Sequence, residues 1–305
     1  MQKAMREETM RLRRLWWAGV EVDCATVQLV IDPLSDARGV VKLGLGAPRT
    51  PTPEPLPGTA HLVLITHLHP DHFDPLAIRA CLRRDGLVLC PSECEEQVRA
   101  AGFRPVGMHE YETIAWSDGP VRVTALPAVD GFGDPQRSWA VADDTSRVFH
   151  GGDTLWHGHW WRIAREVGPF DAALLPINGP LTAFPTITPS GVPAALTPEQ
   201  AATAACLLNA AVAIPIHYDA FHNPPVYVQQ PEALRRFERE AGRRGVPTRV
   251  LAPGEMYRVC SRATARSAHG AGVFSPEPID EGGLIDLVHP PDRTLVGPRP
   301  NKPGG

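Results

Sequence analysis

The segment Thr66-His67-Leu68-His69-Pro70-Asp71-His72 places three imidazoles and a carboxylate directly after the apolar run HLVLI at 61–65. Imidazole and carboxylate together are the ligand chemistry of transition metals. Side chains of an extended chain alternate between its two faces, so His67 and His69 point to the same side. Pro70 turns the chain, and Asp71 and His72 beyond it can aim at a second point nearby. One segment is thereby able to serve two cations, provided that the fold holds it at the end of a strand.

The flanking sequence supplies such strands. Residues 26–31 (TVQLVI) form a β-rich run closed by Asp32-Pro33, and 61–65 form a second one. Leu76, Ile78, Ala80 and Leu82, followed by Gly86, predict a short helix over 75–84 and a strand at 87–89. Ser92 and Glu95 have capping-box spacing, which predicts a helix over 93–101. Residues 121–126, 138–142 and 147–150 read as antiparallel strands, and 171–175 and 211–216 as further strands. Thr197-Pro198-Glu199-Gln200 opens an Ala-rich helix to 208 with a capping box and a proline in its first turn. A charged helix over 232–241, stopped by Gly242, and a strand at 246–251 complete the α/β pattern. The long stretch 179–195, carrying Leu181, Phe184 and Ile187, reads either as a cover over a pocket or as a surface excursion.

At 305 residues, 43% hydrophobic and 21% charged, the chain can bury a large core. We expect one domain at 17–260, a basic N-terminal segment at 1–16 and a Pro/Gly-rich tail at 261–305. A net charge of -4 offers no field for a polyanion, so nucleic acid is not expected as a partner. Arg11, Arg13 and Arg14 precede Trp16 and Trp17 without a signal-peptide apolar region, and no apolar run is long enough for a membrane span. These features point to the cytoplasm. Six cysteines without a C-x-x-C pair read as free thiols. Heavy use of Pro, Arg and Ala hints at a GC-rich bacterial source.

The H-x-H-x-D-H pattern at His67, His69, Asp71 and His72 resembles the signature of the metallo-β-lactamase superfamily. Asp32-Pro33, Gly151-Gly152-Asp153-Thr154 and Ile214-Pro215-Ile216-His217 stand in the order of that family's landmarks, spanning roughly residues 17–256. The set GGDT, DAALLPI, TPEQA and PIHYDAF is most similar to the branch holding L-ascorbate-6-phosphate lactonase and N-acyl-phosphatidylethanolamine phospholipase D. The resemblance implies a four-layer αβ/βα sandwich with a dinuclear site between two sheets. It implies that His67 and His69 bind the first metal, that Asp71 and His72 bind the second, that Asp153 bridges both and that His217 completes the second. The branch usually carries a histidine where this chain has Asp130 in Pro127-Ala128-Val129-Asp130. Either Asp130 replaces that ligand, giving a harder site more welcoming to Mn²⁺ or Fe²⁺ beside Zn²⁺, or it is a turn residue before Gly131 and the first site is weak.

Other residues near these motifs are open to two readings. His157 and His159 contact substrate or rescue a missing ligand, or else sit on the rim. Tyr218 and His222 meet substrate or donate a proton, or else pack. Trp156, Trp160 and Trp161 line an apolar pocket, or else pack helix on sheet. The expected function is a metal-dependent hydrolase in which a metal-bound hydroxide attacks a lactone, ester or phosphodiester of a small molecule. Asp71 would orient that hydroxide or shuttle its proton. The alternatives are a non-catalytic protein with an impaired first site and a diiron-type redox protein. Family relatives are often oligomers, so a homo-oligomer with the tail packed on a neighbour is admitted as well.

Overall fold

The computed structural model of the chain describes residues 9–24, 26–35, 37–50, 54–116, 120–261 and 293–295. Residues 1–8 and most of the expected tail lie outside the described residues. In chain order the first strands are β1 (Arg11–Arg14), β2 (Val20–Cys24), β3 (Val27–Ile31), β4 (Ala60–Leu64), β5 (Leu82–Pro91) and β6 (Pro105–Met108). They are followed by β7 (Thr113–Trp116), β8 (Arg122–Pro127), β9 (Arg137–Ala142), β10 (Arg147–His150) and β11 (Ala172–Pro176). The last are β12 (Leu181–Thr182), β13 (Ala213–Ile216), β14 (Tyr227–Val228), β15 (Met256–Arg258) and β16 (Arg293–Leu295). The helices are α1 (Arg38–Leu43), α2 (Pro75–Cys81), α3 (Glu95–Ala100), α4 (Trp160–Glu166), α5 (Pro198–Leu207) and α6 (Ala233–Arg243).

One seven-stranded sheet has the order β15-β1-β2-β3-β4-β5-β6 and the other β13-β11-β10-β9-β8-β7-β16. The period of two along each strand explains why they stack. Leu29 and Ile31 of β3, and Leu62 and Leu64 of β4, share one core with Val123, Trp139, Val141, Leu174 and Ile214 of the second sheet. The intervening Val30 and Val63 face the other way, onto Ile78 of α2 and Val98 of α3. On the second sheet Phe149, Ala173 and Leu175 turn outward onto Trp160 of α4, Ala201 of α5 and Phe237 of α6. Strands apolar on both faces need cover on both, and the result is four layers of helices, sheet, sheet and helices, as the resemblance implied. No helix among the described residues is long and apolar enough to cross a membrane.

Several elements differ from their sequence-based expectation. The helix at Pro75 stops at Cys81, because Leu82 is already extended and pairs with Ala60 in the β-ladder. Ser92 makes no capping box; it lies in the 3-10 turn Ser92–Cys94, and Glu95 instead pairs with Arg99 one turn on. Residues 246–251 form no strand, since Pro247 lacks an amide hydrogen and only the bridge from Thr248 to Ala213 forms. Thr197 does form its capping box with Gln200. Arg11–Arg14, expected within a basic segment outside the domain, is strand β1, pairing with β2 and β15. Alternation hid it: Arg11 and Arg13 face outward and mask Leu12, which is fully buried in the central core. Within the expected tail, β16 pairs with β7.

If β1 is part of the core, Leu12→Ala will lower unfolding stability by about 2–5 kcal/mol in urea titrations. A change no larger than that of an exposed substitution would show that this strand carries no packing.

Candidate metal centre

The segments that follow β3, β4, β8, β10 and β13 meet at one edge of the sandwich. Asp32, at the end of β3, accepts from the Thr66 amide at 2.8 Å and from the Thr66 hydroxyl at 2.6 Å. This pins the start of the histidine segment as it leaves β4. Asp153 follows β10 after Gly152, whose φ of +63° suits glycine. A Cβ there would also lie 3.1 Å from the Thr66 side chain, so glycine lets the two loops approach. His217 follows β13, with its amide donating to the Trp17 carbonyl at 3.0 Å.

Each imidazole commits one nitrogen to a fixed acceptor. His72 Nδ1 faces Asp32 Oδ2 at 2.8 Å, His217 Nδ1 faces Asn178 Oδ1 at 3.0 Å, and His69 Nε2 faces Asp134 Oδ2 at 2.8 Å. The Asn178 amide nitrogen donates to the Tyr227 hydroxyl at 2.7 Å, which turns its oxygen towards His217. His67 Nδ1 lies 3.0 Å from Thr66 Oγ1, whose own proton goes to Asp32, so this ring donates outward too. The remaining nitrogens turn inward and crowd: His67 Nε2 is 2.9 Å from His69 Nδ1, and His72 Nε2 is 3.1 Å from His217 Nε2. Bare lone pairs at that separation repel, so a proton or a cation must stand between them.

Two groups of donor atoms result, His67, His69, Asp130 and Asp153 in one, Asp71, His72 and His217 in the other. Asp153 reaches both, with Oδ1 3.7 Å from His67 Nε2 and Oδ2 3.7 Å from His72 Nε2. Asp71 Oδ2 lies 3.6 Å from both His72 Nε2 and His217 Nε2. A tetrahedral cation with ligands at about 2.1 Å holds its donors about 3.4 Å apart. The separations here, from 2.9 to 4.0 Å, bracket that value. Asp130 is drawn into the first group. Its Oδ2 accepts from the amides of Phe132 and Asp134, while its buried Oδ1 has no hydrogen-bond partner and lies 3.6 Å from His69 Nδ1. That orphaned oxygen, aimed at the other donors, fits a metal site.

The protonation pattern follows from the same crowding. Burial opposes a charge on His72, but Asp71, Asp153 and Asp32 outweigh it and push its pKa up to about 10. His69 also rises against burial, chiefly through Asp130. Burial takes His67 down to about 4, with Asp153 offsetting only part. Burial alone would raise Asp71 and Asp153, yet the imidazoles around them hold both below the usual carboxylate range. Burial and then the Asp153 charge raise Asp130. Without metal, therefore, a proton on His72 fits the gap towards His217, and the upward shift of His69 favours one in the gap towards His67.

The donors open onto a cavity of about 520 Å³, lined by His69, Asp71, Asp153 and His217 on one side and by Leu43, Leu45, Phe132, Phe184, Ile187 and Tyr227 among others. Segment 179–195 thus covers a pocket, through Phe184 and Ile187, and part of it is the strand β12 paired with β14. The other residues expected to meet substrate lie elsewhere. His217 has a φ of 56°, which turns the chain so that Tyr218 enters the helix-side core, where its hydroxyl receives Arg14 at 3.1 Å. His222 is exposed outside the cavity lining. The loop after Asp153 leads away to α4, so His157 stacks flat on Trp160 at 4.3 Å and Trp156 packs on Trp160 and Trp161. His159 donates its amide to His157 Nδ1 and joins neither group of donors.

Residues that no local motif marked support the centre. Trp17 donates to Asp71 Oδ2 at 3.0 Å and lays its ring 3.8 Å from that of His217. Gln136 donates to Asp153 Oδ1 at 2.8 Å. Asn178 and Asp134 orient His217 and His69 as described. Only the Asp32-Pro33 landmark had a sequence signal.

Residues 28–218 match the family model described as the beta-lactamase superfamily domain. A UPF0173 metal-dependent hydrolase of Thermus thermophilus is 29% identical over 258 residues, covering 82% of this chain and 99% of that protein. A metallo hydrolase of Ignicoccus hospitalis superposes with a TM-score of 0.60 at 23% identity, over 82% of this chain and 97% of the other. The diiron β-hydroxylase CmlA of Streptomyces venezuelae superposes at 0.62 with 19% identity, over 82% of this chain and 54% of its own. The last two likenesses concern the fold.

Metal uptake at pH 8 should release at least one proton per chain, because His72 is still protonated there and must lose its proton to become a ligand. Calorimetry in buffers of different ionisation enthalpy measures this. The release should fade as the pH passes about 10; no dependence on buffer at pH 8 would contradict the assignment.

Proposed function

The chain belongs to the β-lactamase superfamily, and from that membership we propose that it is a metal-dependent hydrolase that cleaves a lactone, ester or phosphodiester bond of a small molecule. The observation that carries this reading is the set of four imidazoles whose outer nitrogens donate to fixed acceptors while their inner nitrogens meet carboxylates at the cavity. His67, His69, Asp130 and Asp153 would hold one divalent cation, and Asp71, His72 and His217, with Asp153 within reach of both sets, would hold the other. Such cations lower the pKa of a bound water and withdraw charge from a substrate oxygen. Two carboxylates in the first set make it harder than an all-imidazole site, which favours Mn²⁺ or Fe²⁺ alongside Zn²⁺.

Asp71 borders the cavity and is held by Trp17. With its pKa held so low it is a poor store for a proton, so its role is to orient the attacking water through an accepted hydrogen bond. The carboxylate-rich first set also favours a diiron redox reading, which would require bound iron and oxygen uptake on turnover.

Elemental analysis joined to a panel of lactones, esters and phosphodiesters tests the proposal. Wild-type protein should hold two ions and turn over at least one class, while His67→Ala should lose an ion and the turnover. Asn178→Ala, which frees His217 Nδ1, should weaken metal affinity or activity about 10- to 100-fold. Two firmly held ions with no hydrolysis anywhere in the panel would favour a non-catalytic protein.

A further inference from the structure

Three of the chain's 30 basic residues are lysines, Lys3, Lys42 and Lys302, and Lys42 alone lies among the described residues. It stands on the last turn of α1, in the cavity wall. The wall it belongs to is mostly apolar, with Leu43, Leu45, Phe184 and Ile187 interrupted by Thr182 and Thr186. The Lys42 side chain makes no ion pair or hydrogen bond among the described residues. The acids that share the cavity are engaged elsewhere: Asp71 and Asp153 with the imidazoles, Asp134 with His69. An exposed lysine at the border of a mostly apolar cavity, with the local carboxylates already committed, is free to meet an anion that enters.

We propose that the cavity takes a molecule with an apolar body and an anionic head group, and that Lys42 receives the head group. This rests on the hydrolase reading and names the substrate class that reading leaves open. The bond to be broken meets the donors at Asp71 and Asp153, the apolar body lies along Phe184 and Ile187, and the anion pairs with the ammonium. A mostly apolar pocket with a few polar groups sets orientation through those groups, so a cation at the wall, apart from the metal centre, biases which end of an amphiphile faces the donors. Lysine suits this better than the arginine used in the rest of the described chain. Its compact charge on a flexible stem follows a single anion, whereas a guanidinium would stack on Phe184 or seek a bidentate partner.

The test is a binding measurement on the metal-loaded protein with two probes of matched length, octyl sulfonate and octanol. A sulfonate is a feeble ligand for divalent ions, so it reports the ammonium rather than the centre. Octyl sulfonate should bind about tenfold or more tighter than octanol, the size expected of a charge-assisted contact. Lys42→Met should bring the ratio close to one, Lys42→Arg should keep part of the preference, and Lys42→Glu should reverse it. Lys42 is exposed, so the variants should retain wild-type metal content, which is measured alongside. An undiminished ratio in Lys42→Met, or no binding of either probe to the wild type, overturns the proposal. Failure of the hydrolase reading is distinguishable, because it shows as absent turnover across the panel while the binding ratio stands.

Discussion

The buried carboxylate of Asp32 is the contact from which the centre hangs. It is 1% exposed, and a charge so enclosed is tolerable only with several donors. The Thr66 amide, the Thr66 hydroxyl and His72 Nδ1 supply them. By taking these donors Asp32 settles two imidazoles together. His72 has its inner nitrogen turned to His217, and Thr66 Oγ1, its proton given to Asp32, becomes the acceptor that does the same for His67. Burial and the His72 charge act on Asp32 in opposite senses and leave its pKa lowered, so the anchor stays charged.

That anchor works because the two sheets give it a rigid frame. β3 and β4 run parallel, so Asp32 and Thr66 leave their strands side by side. β10, β11 and β13 are likewise parallel in the other sheet, which brings Asp153 and His217 to the same edge. Parallel strands buried on both faces end in loops that carry chemistry without disturbing the packing. Trp17 joins the sheets at this edge, since its carbonyl holds the His217 amide and its indole holds Asp71.

The cavity shows a division of labour along one wall. Charge is concentrated where the imidazoles and carboxylates neutralise one another, and the remaining wall is mostly apolar, interrupted by Thr182, Thr186, Tyr227 and Lys42. A small molecule entering such a cavity would be gripped mostly by hydrophobic contact and oriented by few polar groups.

Much of the centre was legible locally. The H-x-H-x-D-H segment, Asp153 in its Gly-Gly-Asp turn and His217 after an apolar strand all announce themselves, because the segments that hold ligands at strand ends are short. The strands of alternating pattern were legible for the same reason, whereas β1 was hidden by outward-facing arginines that interrupt its apolar residues. What the sequence determined by itself was the chemistry, namely which side chains are able to bind a cation and which strands carry them. The tertiary structure decided the rest. It aimed the orphaned oxygen of Asp130 at His69, sent Tyr218 and His157 into packing, and recruited Asn178, Gln136 and Asp134 as partners. Those outcomes depend on directions and distances between residues far apart in the chain, and a linear pattern holds no information about which nitrogen of a ring faces inward.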